Sequence, residues 1–122
     1  MYYEDRQANS LLEVVGFSCA LAVMGAVTGL LLMFLAVLQM GRGHGSYSLA
    51  KIAFPYSMLS TLLTDEISTF AIVIALIQFP AYGISWGISY HFRRPLQVLL
   101  VLVILHSVGV LLCQLALSNF PS

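Results

Sequence analysis

Ten charged residues interrupt this chain, and their spacing decides what it can fold into. They are Glu4, Asp5, Arg6, Glu13, Arg42, Lys51, Asp65, Glu66, Arg93 and Arg94. Between them lie uncharged runs at 14–41, 52–64, 67–92 and 95–122, which are 28, 13, 26 and 28 residues long. A helix needs about 20 apolar residues to cross the hydrocarbon core of a bilayer. Three runs exceed that length and one falls short. Charged residues make up 8% of the 122 and hydrophobic ones 60%, whereas an ordinary soluble domain carries about 25% charge. Soluble globular, disordered and basic nucleic-acid-binding classes are therefore excluded. The expected class is all-α: a single transmembrane domain over 1–122, an integral membrane protein whose immediate partner is the lipid bilayer.

Segment one is expected at about 14–40. As a helix it is about 40 Å long, more than a core of about 30 Å, so it tilts or projects. Asn9 or Ser10 is the expected N-terminal cap, with Glu13 in the first turn. The stretch before it, MYYEDRQANS, lacks the basic n-region of a signal peptide, so the helix reads as an uncleaved anchor. GRGHG at 41–45 ends it. Segment two is expected at about 67–90, capped by Thr64 or Asp65, with Pro80 near its middle. Segment three is expected at about 96–117. The short turn at His91–Arg94, followed by Pro95 in a helical first position, makes segments two and three an antiparallel hairpin.

The stretch between Lys51 and Asp65 is the ambiguous one. Thirteen uncharged residues make about 20 Å of helix, too short to cross comfortably. Pro55 suits the start of a short helix, and Tyr47, Phe54 and Tyr56 suit the headgroup level. An interfacial or re-entrant helix at about 52–63 is expected, the alternative being four crossings. With three spanning helices, Arg6, Arg93 and Arg94 share one side against Arg42 and Lys51 opposite. That split favours a cytoplasmic N-terminus in a cell or inner membrane.

Each segment carries small or polar residues at helical spacing. In segment one they are Ser18, Ala22, Gly25 and Gly29, the last two forming a GxxxG. In segment two Ser68, Ala71, Ala75, Gln78, Tyr82, Ser85 and Ser89 form a stripe, with a second GxxxG, Gly83 and Gly87, beside it. In segment three the stripe is His106, Gly109, Cys113 and Ala116. Small residues let helix backbones approach in lipid, where no hydrophobic effect drives them together. These faces are read as packing seams. The Gly25–Gly29 face is expected to contact another helix, with a partner outside the hairpin slightly favoured.

Gln78, Tyr82 and His106 are the intramembrane polar residues. An ionisable group at mid-membrane is costly and marks a functional hypothesis. Gln78 lies 13 residues before His91, and His106 lies 12 after Arg94. At this matched depth they are expected to face each other or a shared cavity near Pro80. A bis-histidine haem site would need a second histidine at the same depth, and His44 and His91 are both at membrane edges. No cofactor and no metal site are expected. No carboxylate falls within a spanning segment, and no zinc spacing, phosphate loop or dinucleotide fingerprint occurs, so no catalytic residues are assigned and the chain reads as non-enzymatic. Cys19 and Cys113 read as small packing residues. The function expected is that of a small accessory or assembly subunit, or a self-associating helical module, of a membrane complex. The alternative is a small transporter or channel protomer with a polar path along Gln78, Tyr82, Ser85 and Ser89.

Overall fold

A computed structural model describes residues 2–41, 47–63 and 67–116, with only the backbone course given for 2–10. The described residues are helical and include no strand. Helix α1 spans Tyr2–Gly41, α2 Ser48–Ala53, α3 Pro55–Ser60, α4 Thr69–His91 and α5 Pro95–Ala116, with one 3-10 turn at Thr61–Leu63 after α3. Three helical stretches are long and apolar enough to cross a membrane: Leu11–Gly41, Thr69–His91 and Pro95–Ala116. The chain is a three-span membrane protein with a short helical element between the first and second spans.

The helix ends follow local chemistry. Nothing between residues 2 and 13 breaks a helix, so α1 begins at Tyr2 and runs through the expected caps Asn9 and Ser10. At 40 residues it is about 60 Å long. Helix α4 is capped by Ser68, whose Oγ accepts from the Ala71 N–H at 3.3 Å. The proposed caps Thr64 and Asp65 lie outside the described residues, as does the GRGHG turn beyond Gly41. Helix α4 closes on a Schellman arrangement: the Arg94 N–H donates to the Ser89 carbonyl at 3.0 Å, and the Arg93 N–H to that of Tyr90 at 3.1 Å. Arg93 occupies the left-handed position with φ 54°, where glycine is usual.

The glycine pairs join α1 to α4. A Cβ added at Gly25 would overlap the Phe79 carbonyl, and one at Gly83 the Leu21 carbonyl. At Gly29 it would meet the Phe79 ring at 3.2 Å, and at Gly87 the Ser18 Oγ at 2.6 Å. As the α1 number falls the α4 number rises, so the two helices are antiparallel. The neighbour of the Gly25–Gly29 face is thus this chain's own α4, not a partner outside it. Phe17 and Tyr90 extend the seam with an edge-on ring contact at 5.2 Å.

The expected single helix at 52–63 is replaced by a broken hairpin. Pro55 disfavours helical geometry in the residue before it, and Phe54 sits at φ −128°, ψ 55°. The chain therefore stops at Ala53 and restarts at Pro55. The first arm lies beside the end of α1, where Gln39 Oε1 accepts from the Leu49 N–H at 3.1 Å. The second arm returns to the start of α4, where Ser57 Oγ donates to the Ala71 carbonyl at 2.7 Å. Both ends therefore lie at one end of the bundle, which makes the element re-entrant and excludes a fourth crossing.

Candidate functional site

Breaking a helix frees carbonyls. In a continuous helix the carbonyls of Lys51, Ile52 and Ala53 would accept from the N–H groups of residues 55, 56 and 57. Residue 55 is proline and has no N–H. The preceding and following bonds survive: the Phe54 N–H donates to Ala50 at 2.9 Å, and the Met58 N–H to Phe54 at 3.0 Å. An unsatisfied carbonyl in hydrocarbon costs several kcal/mol, by about the amount that confines irregular backbone to protein-lined interiors.

Two side chains from the spanning helices meet this demand. Gln78 Nε2 donates to the Ala53 carbonyl at 3.0 Å, and His106 Nε2 to the Ile52 carbonyl at 2.9 Å. A carbonyl only accepts, so the His106 proton is on Nε2. Nδ1 of the neutral ring then accepts from the Tyr82 hydroxyl, 3.2 Å away. A third bond runs the other way, from the Tyr56 hydroxyl on the hairpin to the Leu105 carbonyl at 2.7 Å.

Gln78 and His106 therefore do not bond each other. They converge on adjacent carbonyls of a third element. Because they sit midway along α4 and α5, the hairpin tip at Phe54 lies midway along the spanning bundle, deeper than the headgroup level expected for its aromatic residues. Phe54 is buried and stacks edge-on with Phe79, ring centres 5.6 Å apart, within a cluster containing Ala53, Ala75, Leu32 and Met33.

The stripes on α4 and α5 face this hairpin. Ala71, Ala75 and Gln78 are buried. A Cβ on Gly109 would meet the Tyr56 ring at 3.2 Å and Pro55 at 3.3 Å. Cys113 is fully buried beside Met58, Ala36 and Ala50. Lys51 is also buried, at 3% exposure, inside the hairpin and not on a water-facing loop. The expected polar path is not continuous: Ser85 is exposed, while the buried Ser89 hydroxyl donates to the Trp86 carbonyl of its own helix. Sequence spacing alone does not single out Ile52, Ala53, Tyr56 and Ser57. The Phe54–Pro55 step was the available signal, since a proline inside a helical stretch predicts both a break and freed carbonyls.

Two buried polar atoms lack a partner among the described residues, Gln78 Oε1 and Ser18 Oγ. No cluster of three or more histidine, cysteine or acidic side chains occurs among the described residues. Apolar spaces among the described residues include two of note. One, about 310 Å³, lies between α1, the hairpin and α4 and is lined by Met33, Ala36, Phe54, Met58 and Ala75 among others. The other, about 440 Å³, opens between α1 and α5 over α4, in the half of the bundle that the hairpin does not enter. Comparison of the chain with protein families, with curated proteins and with solved structures finds no match.

Proposed function

We propose that this chain is a small accessory or assembly module of a membrane complex, acting through contacts of its spanning helices and not through catalysis. The observation that carries the reading is the use made of the mid-membrane polar groups. Gln78, Tyr82, His106 and Tyr56 all close the hairpin onto the bundle. What the spans offer outward is apolar: Val15, Val23, Val27, Leu31, Phe34, Ile77, Leu100, Ile104 and Leu111 are each more than 50% exposed, apart from the protein's own lipid or partners. Helix α1 has one spanning neighbour, α4, so most of its circumference is available to another subunit or a second copy.

The N-terminus is proposed to face the cytoplasm. Arg6, Arg93 and Arg94 belong to one end of the bundle. Burial of Lys51 removes it from the loop-charge count, which leaves Arg42 alone opposite and strengthens the split.

Native mass spectrometry from mild detergent tests the assembly reading. A discrete complex, with itself or with co-purifying subunits, is expected. A monodisperse monomer from both native membranes and mild detergent overturns it. One observation favours transport as a second reading: a re-entrant hairpin at mid-depth beside the buried, unpartnered Gln78 Oε1. Ion or solute flux in proteoliposomes, abolished by Gln78→Leu, would establish that reading instead.

A further inference from the structure

The 440 Å³ groove is floored by Phe79, Tyr82 and Trp86 of α4 and walled by Leu21 and Met24 of α1 and Leu102 and Val103 of α5. Its deep end stops at the Tyr82–His106 pair, midway through the bundle. Its outer end is marked by Trp86 and Leu99. Each of these lies five residues from the turn that joins the helices, Trp86 from His91 and Leu99 from Arg94, or about 7.5 Å along the axis. That turn carries Arg93 and Arg94, both exposed and with no ion pair among the described residues. The acid of this end with a described side chain is Glu13, exposed on α1.

The geometry points to one acyl chain of an anionic phospholipid as the occupant, its tail along α4 and its headgroup phosphate at Arg93 and Arg94. Three features select that ligand. The groove runs from mid-depth toward one membrane surface and stops about 7.5 Å short of the turn, along the course of a single leaflet's chain. Its volume falls in the range of about 300–1,000 Å³ that small-molecule pockets occupy. Finally, two exposed arginines on the turn, about 7.5 Å beyond the mouth, match an anionic headgroup in a way that a zwitterionic one does not. Arginine also stands at the left-handed position of the turn, where glycine would be conformationally easier. The charge thus stands on the turn beyond the mouth against a local backbone preference.

The chain contains a single tryptophan, Trp86, and it lines the groove. The test is therefore optical and uses the full-length protein. It is reconstituted in phosphatidylcholine vesicles containing a small fraction of either phosphatidylglycerol or phosphatidylcholine with brominated acyl chains, since bromine quenches indole fluorescence on contact. Brominated phosphatidylglycerol should quench Trp86 at lower mole fraction, with a preference of about fivefold for each arginine that contributes. Arg93→Gln with Arg94→Gln should make the two lipids equivalent. Val103→Phe, which fills the groove without touching the turn, should reduce quenching by both lipids. Circular dichroism checks that each variant remains helical. Equal quenching of the wild-type protein by the two lipids, or absence of quenching by either, overturns the assignment. The wild-type comparison needs no variant to fold.

Discussion

The two halves of the bundle solve one problem differently. Where α1 and α4 separate beyond Gly29 and Phe79, the space between the three spanning helices is filled by the chain itself, as the α2–α3 hairpin. In the opposite half the same space is left as the groove between α1 and α5. The filled half gives up helical hydrogen bonds to the Ile52 and Ala53 carbonyls and replaces them with His106 and Gln78. The open half needs no such repair, and its polar side chains are few. Mid-membrane histidine and glutamine here follow from a helix that turns back inside the protein. Polar residues at depth can therefore report broken backbone nearby as well as transported substrate.

The largest effect is expected at the seam that serves both halves. Replacing Gly25 and Gly83 together with leucine drives side chains into the Phe79 and Leu21 carbonyls. With overpacking at about 1–3 kcal/mol per site, a loss of roughly 4 kcal/mol or failure to form the α1–α4 pair follows. Thermal unfolding in detergent measures it, and an unchanged midpoint would show that α1 and α4 do not meet there. Next come the repairs. His106→Leu or Gln78→Leu should each cost about 1–3 kcal/mol, because a buried carbonyl is stranded. Protease access or hydrogen exchange at residues 47–63 should rise.

A paired insertion separates the halves more directly. Ala71→Leu, in the filled half where Ala71 is fully buried, should cost about 1–3 kcal/mol. Ser107→Leu, on the groove wall and exposed, should change stability by about 0.5 kcal/mol or less. Equal costs, read as unfolding midpoints, would mean the groove is packed as tightly as the hairpin half. An effect of the opposite sign is expected at the turn. Arg93→Gly relieves a left-handed φ and should raise stability by about 1 kcal/mol. If that variant is less stable in neutral detergent, the side chain does more for the fold than its conformation costs.

The three spans were legible because charge placement against bilayer thickness is a strong, nearly one-dimensional constraint. The Pro55 helix start and the seam residues were also readable, since helical spacing defines a face. What spacing does not define is the neighbour. Gly25 and Gly83 look alike whether they meet each other's helices or a partner, and only the three-dimensional register distinguishes these. The equal depth of Gln78 and His106 was countable from the 91–94 turn. Their target is not countable, because a 13-residue run reads equally as an interfacial or a re-entrant helix, and only a hairpin with six residues per arm brings its carbonyls to their depth. Lys51 added to the ambiguity, since a charge in the sequence was taken as a mark of the water-facing side.

The bond from His106 to Ile52 also orders events in time. Ile52 and its acceptor are made 54 residues before the side chain that satisfies it. At about 5–20 residues per second that interval is roughly 3 to 10 s of translation. Gln78 arrives earlier, with α4, so the nascent hairpin acquires its second anchor only when α5 enters. Throughout that interval the Ile52 carbonyl depends on water or on the insertion machinery. The last helix of the bundle thus completes the first irregular element, and a ribosome stalled before residue 106 would hold a chain whose hairpin is still half fastened.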